Sequence, residues 1–234
     1  MINLFIIGPA GSGKTTLTYS FGKWLEEEGY NVGYINLDPG VIILPFTPSF
    51  DIREIVNINE IILNEKLGPN GALIRASEII ENNISKIIDK INSISCDYLL
   101  IDTPGQMELF LFREMGPLIS SSLNGRKASI FIIDPSFMKR RNDFITLKLL
   151  GIIVELRLGV PSLEIINKCD LLKEITPSKI ETGMLAGLAE EINDIVEKIE
   201  KKKRTIMVSA KNNIGLLELY NAINELFCVC GDLT

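Results

Sequence analysis

The sequence predicts an α/β fold, with a doubly wound, mainly parallel sheet covered by helices on both faces. Three observations predict it. Short apolar runs alternate with helical patterns, most of the runs are apolar at nearly every position, and polar or glycine-rich segments follow them. Parallel strands joined by right-handed crossovers end at one edge of a sheet, where such folds bind ligands. We therefore expect functional residues directly after the strands.

The predicted elements alternate along the chain. Strands are expected at 2–7, 31–36, 97–102, 128–134, 162–167 and 204–209. Helices are expected at 14–28, 72–94, 136–158, 177–202 and 214–227. The segments 40–71 and 171–203 are longer than ordinary crossovers, and we interpret them as insertions on one domain of residues 1–234.

Composition excludes several functional classes. The 234 residues are 46% hydrophobic and carry a net charge of −6 with scattered Lys and Arg, so there is no strong nucleic-acid signal. The KKKR run at 201–204 is typical of cations at a helix C-terminus. No apolar run approaches the ~18 residues of a membrane span, and the first residues lack a signal-peptide pattern. We therefore expect a cytoplasmic protein without a membrane partner.

Histidine is absent, which removes His-based catalytic triads and the usual catalytic zinc sites. Cys228 and Cys230 form a C-x-C pair without a second pair elsewhere, so the pattern does not favour a metal site and their role stays open.

The first predicted strand runs into a phosphate-binding loop. Residues 8–16 read GPAGSGKTT and match G-x-x-x-x-G-K-[ST] between an apolar strand and a helix. Backbone N–H groups and the helix N-terminus would bind phosphates, Lys14 would neutralise the β- and γ-phosphates, and Thr15 would bind Mg²⁺. The residues expected to contact the nucleotide here are Gly8, Ala10, Gly11, Ser12, Gly13, Lys14, Thr15 and Thr16.

Acidic residues follow the second and third predicted strands. Asp38, in NLDPG, could reach the Mg²⁺ shell or the attacking water, and a turn-forming Asp is the alternative. Asp102 opens DTPGQMELF and would hold Mg²⁺, while the Gly105 N–H would contact the γ-phosphate. Gln106 would orient the attacking water and Glu108 would accept a hydrogen bond from it.

Two later motifs predict guanine recognition. In NKCD (167–170), Asp170 can accept from guanine N1–H and the 2-amino group, which adenine cannot match. Asn167 could tie this loop to the phosphate loop, and the Lys168 stem could cover the purine face. In SAK (209–211), the Ala210 N–H would meet guanine O6 and Ser209 would brace Asp170. The predicted base-binding residues are Asn167, Lys168, Asp170, Ser209, Ala210 and Lys211.

Residues 68–71, Gly-Pro-Asn-Gly, are locally typical of a turn, with Pro second, Asn third in a left-handed conformation, and Gly closing it. Together with the other motifs, however, Gly68-Pro69-Asn70 resembles the signature of the GPN-loop GTPase family in a short, archaeal-looking form. The resemblance covers essentially the whole chain.

The resemblance implies a P-loop NTPase fold with helical lid and dimerisation insertions. It also implies hydrolysis of GTP to GDP with Mg²⁺, a homodimer joined through the nucleotide face, and unknown protein clients. Asn70 would reach the partner's γ-phosphate or the released phosphate, and Asp51 would lie in the first switch. Asp38, Gln106 and Glu108 would position Mg²⁺ and water. No arginine finger can be assigned among Arg53, Arg75 and Arg113.

Two other functions stay open. One is a nucleotide or polynucleotide kinase on the same core, which N-K-x-D and the Gln106–Glu108 pair disfavour because a kinase excludes water. The other is a GTP-binding scaffold with little turnover, which an intact Lys14, Asp102 and Gln106 disfavour.

Overall fold

The computed structural model describes residues 1–172 and 205–228, together with 191, 195 and 198. The strands are β1 (Ile2–Ile7), β2 (Val32–Asn36), β3 (Phe50–Asp51), β4 (Tyr98–Asp102), β5 (Arg126–Ile133), β6 (Ser162–Ile166) and β7 (Ile206–Met207). The helices are α1 (Lys14–Glu27), α2 (Ile58–Glu65), α3 (Pro69–Asn82), α4 (Ile84–Asn92), α5 (Met107–Leu111), α6 (Met115–Ser122), α7 (Arg141–Leu158) and α8 (Leu216–Phe227). Short 3-10 helices lie at Ile52–Glu54, Pro135–Lys139 and Cys169–Leu171.

The seven strands form one parallel sheet in the order β3-β2-β4-β1-β5-β6-β7. Since β1 lies between β4 and β5, the chain winds outward from β1 in both directions, which confirms the predicted doubly wound fold. Asp102 at the end of β4 is level with Ile6 of β1 and Asn36 of β2. The segments that follow these three strands therefore meet at one place, at the switch point of the sheet.

Side chains of the central strand alternate between two cores. Leu4 and Ile6 pack in a cluster with α1 and α8. Phe5 and Ile7 pack in a second cluster with α2 to α7. Burial on both faces explains why the strands are apolar at nearly every position. Within the described residues, no helix has both the length and the hydrophobicity needed to cross a bilayer.

The turn predicted at 68–71 is wrong. Gly68 is the N-cap of α3, with φ −71° and ψ 168°, and Pro69 is its first residue, so Asn70 and Gly71 are helical. Pro is favoured at this position because its missing N–H has no helical acceptor there. The left-handed residue lies two positions before Gly68, at Lys66 (φ 54°), which ends α2.

Other boundaries also differ from the sequence-based expectation. The helix predicted at 72–94 is two helices, α3 and α4, separated at Asn83, whose side chain bonds to the Ile79 carbonyl oxygen (2.8 Å). The helix predicted from 136 begins at Arg141, after a 3-10 turn. The insertion 40–71 contains β3, which the sequence did not predict, and α2, a helix that precedes residues 68–71. The helix expected at 177–202 and the insertion at 171–203 lie almost wholly outside the described residues.

Candidate functional site

Glycines shape the phosphate-binding loop between β1 and α1. Gly11 and Gly13 have φ values of 76° and 94°, a region that residues with a side chain rarely adopt. A Cβ at Gly13 would lie 2.5 Å from Asn167 Nδ2, and one at Gly8 would lie 2.8 Å from the Ile132 carbonyl oxygen. The loop therefore lies tightly against the ends of β5 and β6.

Lys14 and Ser12 are buried polar residues of this loop. Lys14 Nζ donates to the carbonyl oxygens of Gly8 (3.0 Å) and Pro9 (3.1 Å). Burial lowers the pKa of Lys14, and nearby carboxylates act in the opposite direction. Because an ammonium has three donors, Lys14 keeps one for a phosphate oxygen. Ser12 Oγ has no hydrogen-bond partner among the described residues.

The Thr15 hydroxyl and the Asp102 carboxylate are hydrogen-bonded to each other below the loop. Thr15 Oγ1 donates to Asp102 Oδ2 at 2.6 Å. Asp102 is 1% exposed, and its Oδ1 has no hydrogen-bond partner within the described part of the chain. Burial raises the pKa of Asp102 to about 7, against the hydrogen bond from Thr15 and the charge of Lys14, which lower it. A hydroxyl beside a carboxylate with an unbonded oxygen fits the hard oxygen ligands that Mg²⁺ takes.

Asp38 forms the turn of its motif, and its role at Mg²⁺ or the attacking water stays a prediction. Its Oδ1 accepts from the Gly40 N–H at 2.8 Å, so it forms the local turn. The preceding residue, Leu37, donates its N–H to the Asp102 carbonyl oxygen at 2.9 Å, so Asp38 lies next to the segment that carries this predicted Mg²⁺ ligand. Among the described residues, no group of three or more His, Cys, Asp and Glu could hold a metal ion. Mg²⁺ would therefore complete its coordination with phosphate oxygens and water.

The segment after β4 borders a cavity of about 400 Å³ beside the phosphate loop. A Cβ at Gly105 would lie 3.5 Å from Ala10 Cβ and 4.0 Å from Lys14 Nζ, so the Gly105 backbone faces that loop. Gln106, the N-cap of α5, makes no capping hydrogen bond, and Glu108 in the first turn is exposed. Both side chains are therefore free to bind water at the cavity.

Asn167 connects the base-binding segments to the phosphate loop. Its Nδ2 donates to the Ser12 carbonyl oxygen (2.9 Å), the tie that the sequence predicts, and it is 2% exposed. Its Oδ1 accepts from the Ala210 N–H at 3.1 Å. This second bond occupies the Ala210 N–H in this structure, and the contact of that N–H with guanine O6 stays a prediction.

Ser209 and Asp170 are joined as the sequence predicts. Ser209 Oγ donates to Asp170 Oδ1 at 2.5 Å, and Ser209 is fully buried while Asp170 is exposed. The bond fixes one carboxylate oxygen and leaves the other to accept from a base. Lys211 is exposed at the same edge.

Asp134 is a residue of this site that sequence reasoning missed. Lys168 Nζ donates to Asp134 Oδ2 (2.6 Å) and to the Gly11 carbonyl oxygen (2.7 Å). These contacts hold Lys168, whose φ is 58°, along the loop where a purine would lie. Asp134 directly follows β5, so the rule that selected residues after the other strands could have found it.

Asn70 lies beside the loop that carries Asp38. A Cβ built at Gly40 would lie 3.9 Å from Cδ2 of Leu73, which is one turn after Asn70 in α3. Asn70 is exposed, and Gly68 offers no side chain to cap the helix. The start of α3 therefore presents Asn70 and uncapped N–H groups near the predicted catalytic edge.

All three arginines considered as fingers bind carboxylates of their own chain. Arg53 pairs with Asp51, Arg75 with Glu65 and Glu78, and Arg113 with Glu81.

Comparisons with known proteins place the chain among nucleotide-binding proteins. A family model described as a conserved hypothetical ATP binding protein matches residues 6–229. GPN-loop GTPase PAB0955 from Pyrococcus abyssi is 36% identical over 252 residues, which cover 100% of both chains. GPN-loop GTPase 3 from Dictyostelium discoideum is 32% identical over 80% of this chain and 68% of its own length.

The crystal structure of PAB0955 in its apo form matches the fold with a TM-score of 0.87 at 35% identity, over 98% of each chain. The family description names ATP, whereas the two relatives are GTPases. The carboxylate of Asp170, held by Ser209 after β7, favours guanine.

Proposed function

Because the chain belongs to the GPN-loop GTPase family, we propose that it works as a homodimeric, Mg²⁺-dependent GTPase whose hydrolysis of GTP to GDP and phosphate drives a conformational switch. The contacts of Asn167 carry the proposal, since this one buried side chain joins the base-binding segments to the phosphate loop. Protein clients would respond to this conformational change.

The phosphate end of the site supports binding of a triphosphate with Mg²⁺. Lys14 is held by two carbonyl oxygens, and its remaining donor would bind a phosphate oxygen. Thr15 and Asp102 would hold Mg²⁺ directly or through water, with Asp38 beside them. When bound, the metal would neutralise charge that develops on the phosphate oxygens. Asp102 is deprotonated for this role, which the positive charge of the metal favours.

The hydrolytic steps are assigned to residues that border the open cavity. Gln106 would orient the attacking water and Glu108 would accept one of its hydrogen bonds. The Gly105 N–H, close to Lys14, would contact the γ-phosphate and lose that contact after hydrolysis. Asn70 of a second copy would complete the site, and its exposure at the start of α3 supports this role.

Initial rates measured over a range of protein concentrations test the proposal. We expect Mg²⁺-dependent release of phosphate from GTP, at least about 100-fold faster than from ATP, because Asp170 would face an unpaired acceptor in adenine. The rate per chain should rise with protein concentration as the dimer forms. ATP turnover equal to GTP turnover would contradict it.

Product analysis in a single turnover separates the two alternatives. A kinase would transfer radiolabel from the γ-phosphate to an added nucleoside or RNA end, whereas the proposed GTPase releases the label as inorganic phosphate. A scaffold with little turnover would bind GTP stoichiometrically and retain it intact.

A further inference from the structure

The loop that carries Asp38 is fastened to the edge of the sheet by Arg53. Arg53 follows β3, and its Nη1 donates to the carbonyl oxygens of Val41 (3.2 Å) and Ile42 (3.1 Å). Its Nε and Nη2 bind the two carboxylate oxygens of Asp51, with Nε to Oδ1 at 3.0 Å and Nη2 to Oδ2 at 2.6 Å. One guanidinium therefore links the end of β3 to the middle of the loop.

Asn36 extends this link to Asp38 itself. Asn36 is fully buried at the end of β2, and its Nδ2 donates to Asp51 Oδ1 (2.9 Å) and to the Asp38 carbonyl oxygen (3.2 Å). Its Oδ1 accepts from the Asp38 N–H at 3.0 Å. Both backbone polar groups of Asp38 are thus bound by one side chain, which Asp51 and Arg53 hold in turn.

Side-chain packing does little to hold residues 42 and 43 of this loop. Ile42 and Ile43 are 87% and 82% exposed, so their side chains bury almost no apolar surface. The position of residues 42 and 43 therefore depends on the hydrogen bonds to Arg53, whereas Phe46, further along the loop, stacks on Tyr34 with ring centroids 5.0 Å apart.

We propose that Arg53 is a positioning residue for GTP hydrolysis, which holds Asp38 beside Lys14 and Asp102 through Asp51, Asn36 and the carbonyl oxygens of residues 41 and 42. The inference rests on the proposed role of Asp38 at Mg²⁺ and the attacking water. A guanidinium suits the task because its planar fork can bind both oxygens of a carboxylate and two carbonyl oxygens at once, which takes four donors, whereas a lysine ammonium has only three. Four of the five guanidinium donors are used in this way, which disfavours Arg53 as an arginine finger.

Arg53→Lys, measured alone and together with Asp38→Asn, tests the inference. Arg53→Lys should lower kcat about 10-fold and raise the Mg²⁺ concentration for half-maximal rate about 5-fold, as loss of a residue that orients a metal ligand does. Affinity for GDP without Mg²⁺ should change less than about 2-fold, since the base and phosphate loops are untouched. Arg75→Lys is the matched control, because Arg75 binds two carboxylates outside this network, and it should behave as wild type.

Hydrogen exchange supplies a readout that does not depend on activity. In the nucleotide-free protein, Arg53→Lys should speed exchange in peptides that span residues 38–43 by about 10-fold and leave peptides of the phosphate loop unchanged. Unchanged exchange at 38–43 would overturn the proposal, because the loop would then be held by something else.

The double variant decides whether Arg53 acts through Asp38. In the Asp38→Asn background, Arg53→Lys should lower kcat by less than about a further 2-fold, because the carboxylate that Arg53 positions is already lost. The same 10-fold loss in both backgrounds would overturn the inference and indicate a direct role for Arg53. If Asp38→Asn leaves kcat unchanged, the proposed role of Asp38 is refuted, and so is the positioning role of Arg53 that rests on it.

Discussion

The two ends of the nucleotide site are built differently. At the base end, functional side chains are bonded within the chain itself, Asn167 to Ser12 and Ala210, and Ser209 to Asp170. At the hydrolytic end, Gln106 makes no capping bond, and Glu108 and Asn70 are exposed. Base recognition is therefore preorganised within the chain, whereas in the proposed function nucleotide, water and a second copy would complete the hydrolytic end.

Gly13→Ala should have the largest effect, because it disrupts the preorganised base end of the nucleotide site. The new Cβ would lie 2.5 Å from Asn167 Nδ2 at a residue whose φ is 94°. We expect nucleotide affinity to fall at least about 100-fold, from backbone strain plus displacement of Asn167. Titration with a fluorescent GDP analogue measures it.

Gly11→Ala is the control for this variant. Its φ is 76°, but a Cβ there meets nothing within 4 Å, so only strain remains and the loss should be about 5-fold. Equal losses from both variants would mean that Asn167 does not clamp the loop.

Asp170→Asn should change which base is bound. Loss of the carboxylate should weaken GTP binding about 50-fold, because the guanine donors then face an amide. Xanthosine triphosphate, whose C2 carbonyl can accept from that amide, should bind better than GTP. Competition of both nucleotides against the fluorescent GDP analogue measures the preference. An unchanged preference for GTP would remove Asp170 from base recognition.

Gln106→Ala should slow hydrolysis without weakening nucleotide binding, because it changes only the hydrolytic end of the site. We expect kcat to fall about 30-fold, as loss of a group that orients the attacking water does, while the Kd for GDP stays within about 2-fold. Single-turnover hydrolysis of bound GTP measures the rate. If the affinity for GDP fell as much as kcat, hydrolysis and nucleotide binding would not depend on separate ends of the site.

Asp134→Asn should have the smallest effect. It weakens the contact to Lys168 but preserves the bond from Ser136 N–H to the side-chain oxygen. Because Lys168 also binds the Gly11 carbonyl oxygen, we expect about 5-fold faster GDP release with unchanged kcat. Stopped-flow displacement measures release, and a kcat loss larger than the change in release would place Asp134 at the hydrolytic end.

The sequence could predict those parts of the site that lie in contiguous motifs. Lys14, Thr15 and Asp102 follow strands with recognisable apolar runs, and the structure brings them together at the switch point. Asp134 was missed because its partner, Lys168, follows another strand, and such contacts depend on how the sheet is ordered. Arg53 was left unassigned because it also binds carbonyl oxygens of the loop after β2, a contact that the sequence does not show.

The errors in the fold have local causes. Gly-Pro-Asn-Gly fits a turn and a helix start equally well, since Pro suits the second position of one and the first residue of the other. The break at Asn83 was hidden because the apolar periodicity continues through it on both helices.

Mixing two inactive variants tests most directly whether a second copy completes the hydrolytic end. Asn70→Ala subunits keep the phosphate loop, and Lys14→Ala subunits keep Asn70. Random exchange of equal amounts should give mixed dimers with one complete composite site, and hydrolysis should recover to about a quarter of the wild-type rate. A mixture no more active than the average of its two components would contradict the account.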